Sequence, residues 1–195
     1  MIAAVILAAG LSRRLGRPKQ LLKLGSKTII EHVVENVLQT EVCEVIVVLG
    51  AHCQEIRQVL NPYPVKCIYN PSYQAGIGTS VAAGAGAAAP DIKGIMFVVG
   101  DQPLLSPDYM NQLLKVFLEK NPLILKPENS MPAIFSSNLK QELMCLKGDT
   151  GGRQLMKKYR EKVVTVPGIP AYQSLDVDTE KDYRKILETW RSMHT

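Results

Sequence analysis

The amino-acid sequence predicts an α/β protein with a mostly parallel, twisted sheet that carries helices on both faces. Uncharged apolar runs at 2–8 and 94–99 have the composition of strands that are buried on both faces. Between such runs, apolar residues recur every three or four positions, which is the spacing of amphipathic helices. This alternation is typical of parallel sheets with crossover helices. The length of 195 residues suits one sizeable core, so we expect residues 1–195 to form a single domain.

The order of the elements follows from the same patterns and from signals at helix ends. The expected strands cover 2–8, 45–49, 65–69, 94–99, 122–126, 133–135 and 163–166. The expected helices cover 29–38, part of 50–60, 81–89, 109–118, 139–146 and a last segment that reaches Trp190. Thr28 with Glu31, and Thr179 with Asp182, have the spacing of capping boxes at helix starts. A proline at position 107 suits the first residue of its helix.

Composition narrows the possible partners. The formal net charge is +5, yet aromatic residues make up only 6% and are not interleaved with the cations, unlike many nucleic-acid-binding surfaces. No apolar run reaches the length of a membrane span, and the apolar start of the chain lacks the basic region of a signal peptide. The four cysteines show no C-x-x-C spacing, which favours reduced thiols. We therefore expect a cytoplasmic protein that binds neither nucleic acid nor membranes.

The positive charge is concentrated around a loop that follows the first strand. The first 30 residues contain six Lys or Arg and no Asp or Glu, and Gly10 and Gly16 let backbone amides approach phosphate oxygens. The loop does not match the Walker pattern, because Leu15 stands where the second glycine belongs. It does not match the dinucleotide pattern either, because Ser12 replaces a glycine. A dinucleotide-dependent oxidoreductase is therefore disfavoured.

Residues 7–19 instead resemble the signature of sugar-nucleotide-type nucleotidyltransferases, L-A-A-G-x-S-x-R-x-G-x-P-K, which they match at nine positions. The resemblance implies a Rossmann-like sheet of the nucleotide-diphospho-sugar transferase type. It implies catalytic roles for Arg14 and Lys19. It also implies nucleotide contacts from Leu7, Ala8, Ala9, Gly10, Ser12 and Lys19. The alternative for this stretch is a basic surface turn after the first strand.

Two carboxylates stand where the resemblance implies a metal. Asp101 directly follows the strand at 94–99 within Gly-Asp-Gln-Pro, and ligands of open α/β sheets bind at the carboxyl ends of strands. Asp178 belongs to a D-x-D-T-x-x-D-Y phrase at 176–183, in which Asp176 lies on the same side of an extended segment. The resemblance implies that Asp101, also in a catalytic role, and Asp178 hold Mg²⁺. The alternatives are a turn aspartate for Asp101 and a solvated helix start for Asp178.

Two further loops complete the resemblance. The segment 70–80 is similar to an N-P-x-Y…G-x-G-x-S segment, which implies nucleotide contacts from Asn70, Gly76, Gly78 and Ser80. We also expect Thr79 or Ser80 to cap the helix at 81–89. The segment 148–153 resembles a loop of molybdopterin cytidylyltransferases, which implies acceptor contacts from the residues Lys147, Asp149 and Arg153. The alternative for both loops is a capped helix start with no further role.

The closest resemblance is to the MobA-like family, and within it to the molybdenum cofactor (molybdopterin) cytidylyltransferases. Guanylyltransferase relatives carry a glycine where this chain has Ala9. The resemblance implies Mg²⁺-dependent transfer of CMP from CTP to the phosphate of molybdopterin, with release of pyrophosphate. It also implies delivery to a partner, an apo-molybdoenzyme of the xanthine dehydrogenase type. The connection at 127–132 lacks the longer glycine-containing turn of those relatives, which leaves the acceptor open.

Two other functions remain compatible with the sequence. A cytidylyl- or uridylyltransferase for a sugar or alcohol phosphate would share the metal carboxylates and differ in its acceptor pocket. A non-catalytic molybdenum-cofactor chaperone would bind the cofactor without transferring a nucleotide. The presence of Lys19, Asp101 and Asp178 together argues against the loss of catalysis.

Overall fold

The computed structural model describes residues 1–128 and 131–194. Its strands are β1 (Ile2–Ala8), β2 (Lys23–Leu24), β3 (Lys27–Thr28), β4 (Glu44–Leu49), β5 (Lys66–Tyr69), β6 (Gly94–Val99), β7 (Ile124–Pro127), β8 (Ala133–Ser136) and β9 (Val163–Val166). Its helices are α1 (Ile29–Leu38), α2 (Cys53–Leu60), α3 (Ile77–Ala87), α4 (Pro107–Lys120), α5 (Lys140–Met144), α6 (Arg153–Lys158) and α7 (Glu180–His194). Among the described residues, no helix has the length and apolar character needed to span a bilayer.

Seven strands form one mostly parallel sheet, as predicted. Their order is β5-β4-β1-β6-β8-β7-β9. Strand β8 runs antiparallel to both of its neighbours, and the other pairs are parallel. Its direction follows from the short connection from β7, since a hairpin can join only antiparallel strands. Positions 129 and 130 of the connection at 127–132, where the sequence departs from its relatives, lie outside the described residues.

Helices cover both faces of the sheet because its buried strands alternate their side chains between two cores. In β1, Ala4 and Ile6 point to the face packed by α1, α2 and α4. Ala3 and Val5 point to the opposite face, packed by α3, α5 and α6. Both predicted capping boxes are present, with Thr28 at the start of α1 and Thr179 before α7.

A third core joins the two ends of the chain. It contains Leu22, Leu24 and Ile29 near the β2–β3 pair, together with Val177 and Ile186 from the C-terminal segment. The sequence did not predict the β2–β3 pair, because strands of two residues carry no periodicity. This core places helix α7 directly beside the loop that follows β1.

The start of helix α3 differs from the prediction. The helix begins at Ile77, four residues earlier than expected, and neither Thr79 nor Ser80 caps it. The Thr79 hydroxyl instead shares its proton between the Ser72 and Gly76 carbonyls, each 2.9 Å away, which precede the helix. The reason is Gly76, whose φ of 107° starts the helix from a conformation that other residues rarely adopt.

The glycines of α3 provide a stability test. A Cβ at Gly84 would lie 2.4 Å from Val5 Cγ1 in β1, whereas the nearest atom to a Cβ at Gly86 is 3.7 Å away. Alanine favours a helix over glycine by about 1 kcal/mol. We expect Gly86→Ala to raise the free energy of unfolding by up to about that amount. Gly84→Ala should lower it by about 1–3 kcal/mol through overpacking. Equal stabilisation of both variants in urea titrations would contradict this packing.

Candidate active site

The predicted site residues converge at the carboxyl ends of β1 and β6, next to the point where strand order reverses. β1 is central, with β4 on one side and β6 on the other, and such switch points are where open α/β sheets form crevices. A cavity of about 470 Å³ opens there. The predicted residues that line it are Leu7, Ala9, Gly10, Ser12, Arg14, Lys19, Gly76, Ser80, Asp101, Asp149 and Asp178.

The loop after β1 is a tight turn closed by Ser12. Its backbone is left-handed, with φ of 51°, and its carbonyl accepts from the amides of Leu15 and Gly16. Its hydroxyl accepts from the amide of Lys19 at 3.2 Å. These bonds return the chain towards the cavity, so the short 3₁₀ turn at Lys19–Leu21 begins at its edge.

Lys19 is the centre of an ion-pair cluster. Its Nζ lies 2.5 Å from Asp101 Oδ2 and 3.0 Å from Asp178 Oδ1. Asp178 Oδ2 also accepts from Arg14 at 2.7 Å. The Lys19 and Asp101 side chains are each only 14% exposed, whereas Arg14 is 71% exposed. A buried ammonium thus joins carboxylates that are 77 positions apart in the sequence.

Burial and neighbouring charges shift the pKa values of this cluster. Burial raises the pKa of Asp101, the Lys19 ammonium opposes that rise, and the charges of Asp176 and Asp178 add to it. Burial lowers the pKa of Lys19, but its ion pairs with Asp101 and Asp178 outweigh this effect and leave the pKa raised. Lys19 therefore stays charged at neutral pH, beside the carboxylates of Asp101 and Asp178.

The donor set fits a divalent cation held jointly by protein and phosphate. Asp101 and Asp178 contact one ammonium, so their oxygens lie within reach of a common cation. Within residues 1–128 and 131–194, no group of three or more His, Cys, Asp or Glu side chains forms a complete metal cage. Mg²⁺ and similar ions commonly bind through one or two carboxylates plus substrate phosphates and water. The two carboxylates suit that kind of site.

The third core holds Asp178 in position. Val177 beside it is fully buried, and the next residue, Thr179, forms the capping box of α7 with Asp182. One residue further on, Glu180 pairs with Arg17 at 2.8 Å. The position of the Asp178 carboxylate therefore depends on contacts between the C-terminal segment and the loop after β1.

Not every predicted site residue reaches the cavity. Ala8 is buried in the core. The Asn70 amide donates to Thr79 and Ser80, and its oxygen accepts from the Ser72 amide, so its side chain braces the loop at 70–80. Among the predicted acceptor residues, Lys147 lines neither this cavity nor a second, smaller cavity that is described below.

Gly76 and Gly78 approach protein atoms closely. A Cβ at Gly76 would lie 2.3 Å from the Gly148 carbonyl carbon, and one at Gly78 would lie 2.7 Å from the Lys147 oxygen. The side on which a Cβ would stand is thus filled by protein at both glycines, and their contact with a nucleotide stays a prediction. They allow the start of α3 to pack against the segment 147–149.

The residues that line the cavity but were not predicted from the sequence include Gln20, Tyr73 and Gln74. Gln20 is only 2% exposed, and its Oε1 has no hydrogen-bond partner among the described residues. A buried amide oxygen without a partner costs about 1–3 kcal/mol. The sequence offered one signal for Gln20, its position directly after the predicted site residue Lys19. Tyr73 and Gln74 lie in the segment 70–80, in which the sequence analysis named Asn70 before them and Gly76 after them.

A smaller cavity of about 260 Å³ adjoins the first. Both are lined by Leu7, Ile77, Val99 and Asp149, so these four residues lie between the two cavities. Arg153, a predicted acceptor residue, lines the smaller cavity.

Comparison with known families places the chain. A family model described as the MobA-like NTP transferase domain matches residues 4–163. The chain belongs to the MobA-like NTP transferase family. That match covers β1, β4 and β6, the loop after β1 and Asp101, and it ends before Asp178.

Two proteins of similar sequence differ in how much of their length this chain matches. Nicotine blue oxidoreductase of Paenarthrobacter nicotinovorans is 38% identical over 58% of this chain, and the match spans 55% of that protein. Purine catabolism protein PucB of Bacillus subtilis is 28% identical over 93% of this chain and 94% of its own length. The chain thus spans about half the length of the first of these two relatives.

Solved structures agree with the fold. The crystal structure of Rv0371c from Mycobacterium tuberculosis H37Rv has a TM-score of 0.82 at 29% identity, over 96% of this chain and 97% of that protein. A second structure of that mycobacterial protein is a complex with manganese.

Proposed function

We propose that this protein is a nucleotidyltransferase that moves CMP from CTP to the phosphate of a molybdopterin-type acceptor and releases pyrophosphate. The observation that carries the proposal is the cluster of Lys19, Asp101 and Asp178 on the wall of the larger cavity. A cation and two carboxylates next to a glycine-containing loop suit a polyphosphate with its metal. Membership of the NTP transferase family supports the same reaction.

The chemistry requires positioning and charge neutralisation more than a covalent nucleophile. An oxygen of the acceptor phosphate attacks the α-phosphorus of the nucleoside triphosphate. A new phosphorus–oxygen bond forms, the bond from the α-phosphorus to the bridging oxygen breaks, and pyrophosphate leaves with the electron pair. Arg14 and Lys19 would bind the departing phosphates, and amides of the loop at 10–14 would add donors.

Asp101 and Asp178 would hold the divalent cation. When bound, Mg²⁺ neutralises phosphate charge and polarises the α-phosphoryl group. The manganese complex of Rv0371c supports a divalent cation in a related protein. For this chain we propose Mg²⁺, because two carboxylates with substrate oxygens meet its preference for oxygen ligands.

One relative has a name that points to other chemistry. Nicotine blue oxidoreductase is named for a redox reaction. The site described above favours nucleotidyl transfer for this chain, because hydride transfer to an organic substrate does not require paired carboxylates around a buried lysine. The dinucleotide glycine pattern is also missing from the loop after β1.

The proposal also names the acceptor, a molybdopterin, and the protein that would receive the product, an apo-molybdoenzyme. Incubation with each NTP, Mg²⁺ and molybdopterin, followed by mass analysis, tests them directly. Formation of molybdopterin cytosine dinucleotide with one equivalent of pyrophosphate is the expected result. A dinucleotide-free complex with molybdopterin would instead favour a chaperone for a xanthine dehydrogenase-type apo-enzyme. Transfer only to a sugar or alcohol phosphate would favour the other transferase.

Base preference is a separate prediction. Ala9 lines the cavity and is 7% exposed, and we propose that its methyl group leaves less room for a purine than glycine would. We expect a higher kcat/KM for CTP than for GTP, and Ala9→Gly should shift the ratio towards GTP. Apolar fit discriminates by about 1–3 kcal/mol, so some use of GTP is expected. Preference of the unaltered protein for GTP would contradict the cytidylyl assignment while leaving nucleotidyl transfer intact.

A further inference from the structure

Gln20 combines burial with an unused hydrogen-bond acceptor on the wall of the larger cavity. Its side chain is 2% exposed, and its Oε1 has no hydrogen-bond partner among the described residues. The residue nevertheless lines the cavity that Lys19, Asp101 and Asp178 also line. A buried amide oxygen without a partner destabilises the folded protein. The unpaired oxygen therefore points to a donor that enters the cavity with a ligand.

The backbone on both sides of Gln20 is anchored, which holds its side chain at the cavity wall. Gln20 is the middle residue of the 3₁₀ turn at Lys19–Leu21. The Leu22 carbonyl accepts from the amide of Ile29, the first residue of α1, at 2.9 Å. Leu22 is buried in the third core, and Leu21 packs against the core on the α1 face of the sheet. The glutamine is thus a fixed part of the wall.

Gln102 shows how a buried glutamine with a structural role differs. Its Oε1 is also unpaired within residues 1–128 and 131–194, but its Nε2 donates to the Ser174 carbonyl at 3.2 Å. This bond ties the loop after β6 to the C-terminal segment, and Gln102 does not line the larger cavity. For Gln20, the described residues provide no such side-chain bond. A bond that braces the fold therefore does not account for Gln20.

The partner of Gln20 Oε1 has to be a donor, which narrows its chemistry. An amide oxygen accepts hydrogen bonds and cannot pair with phosphate oxygens, which are acceptors too. A water whose oxygen is bound to a divalent cation presents its hydrogens outward, and Mg²⁺ keeps several waters when one or two carboxylates hold it. Asp101 and Asp178, which we propose as those carboxylates, both contact the residue directly before Gln20. A metal-bound water is the donor that fits this position best.

We propose that Gln20 is a positioning residue whose Oε1 accepts a hydrogen bond from a water on the divalent cation held by Asp101 and Asp178. This inference rests on the proposed function, because that function supplies the cation. Groups that bond to the ligands of a metal orient those ligands, and their loss commonly weakens metal affinity by about tenfold to a hundredfold. Gln20 thereby couples the position of the cation to the turn that carries Lys19.

Replacement by methionine tests the acceptor, because Met has a similar size and lacks the amide. Electron paramagnetic resonance of free Mn²⁺, with the full chain and no nucleotide, should show binding to Gln20→Met that is about tenfold weaker than to the unaltered protein. Urea titration should give an equal or higher midpoint for the same variant, because an unpaired buried oxygen is removed. Equal Mn²⁺ affinity of the two proteins would overturn the inference. A fall in both the midpoint and the affinity would make Gln20 a structural residue and overturn it as well.

Gln20→Glu separates the oxygen of the amide from its nitrogen. A carboxylate still accepts but no longer donates, and its charge attracts a cation. Mn²⁺ should therefore bind Gln20→Glu at least as tightly as the unaltered protein, although a buried carboxylate lowers stability. Weakened binding in folded Gln20→Glu would show that the nitrogen acts, and the acceptor role would fall. If this variant does not fold, the methionine comparison decides.

Gln74→Met is the matched control. Gln74 lines the same cavity from a different loop, and its amide donates to the Tyr73 hydroxyl. The same replacement there should leave Mn²⁺ affinity unchanged, because the residue lies in the segment after β5 rather than beside Lys19. A loss equal to that of Gln20→Met would reflect a general disturbance of the cavity and would contradict a specific role for Gln20.

The outcomes for Gln20 and for nucleotidyl transfer can be told apart. If the unaltered protein releases no pyrophosphate with any NTP, but Gln20→Met binds Mn²⁺ more weakly, the proposed function fails and the positioning role stands. If transfer proceeds and Gln20→Met binds Mn²⁺ normally, the positioning role fails and nucleotidyl transfer stands. Weaker binding of metal-free CTP to Gln20→Met, with unchanged Mn²⁺ affinity, would assign the donor to the nucleotide and also overturn the inference.

Discussion

Replacing Asp101 by Asn is expected to reduce nucleotidyl transfer by about a thousandfold, the size of effect seen when a key charge-stabilising group is removed. The carboxylate is one of two that contact Lys19, and it follows directly from the end of β6. The amide keeps the shape but removes the negative charge that a divalent cation needs. The sheet should remain folded, because a neutral amide is easier to bury than a carboxylate.

Pyrophosphate release under saturating CTP and Mg²⁺ measures this loss, and far-UV circular dichroism checks the fold. Glu188→Gln is the matched control, since it removes an exposed carboxylate of α7 that lines neither cavity. That variant should retain most of its activity. A fully active Asp101→Asn protein would remove the carboxylate from the mechanism.

Much of this arrangement could be predicted from local sequence. The bounds of β1 and β6 agree with the apolar runs, since strands buried on both faces leave uninterrupted patterns. Asp101 could be placed at a strand end for the same reason. The capping boxes at Thr28 and Thr179 were also predictable, because the signal for each lies within four residues.

What could not be predicted depends on contacts between distant segments. The start of α3 at Ile77 is set by Gly76 packing on Gly148, which local propensity does not report. The contact of Asp101 with Lys19 and the burial of Gln20 arise only when the loop after β1 packs against the end of β6 in the folded protein. Residue types indicated the chemistry, and tertiary packing determined which side chains reach the cavity.

Lys19→Met is expected to have two opposite effects. Triphosphate affinity should fall about tenfold to a hundredfold, because a charged hydrogen bond is worth about 1.5–3 kcal/mol. Affinity for Mn²⁺ without nucleotide should rise about tenfold or more. The ammonium occupies the space between Asp101 and Asp178, and its charge repels a cation placed there.

Electron paramagnetic resonance of free Mn²⁺ measures the second effect independently of turnover. Lys23→Met is the control, because this exposed lysine donates to the Ser26 carbonyl and lines neither cavity. It should change neither affinity. If Lys19→Met bound Mn²⁺ no more tightly than the unaltered protein, the ammonium would not share the place of the metal.

The pairing of the first loop with the C-terminal segment has a kinetic consequence. Arg14 and Asp178 are 164 positions apart, and Lys19 and Asp178 are 159 apart. Contacts between such distant residues require the chain entropy of a very large loop to be overcome before they stabilise anything. The central strands can associate first, with much shorter loops. A refolding chain should therefore regain its sheet before it gains the ability to bind a triphosphate.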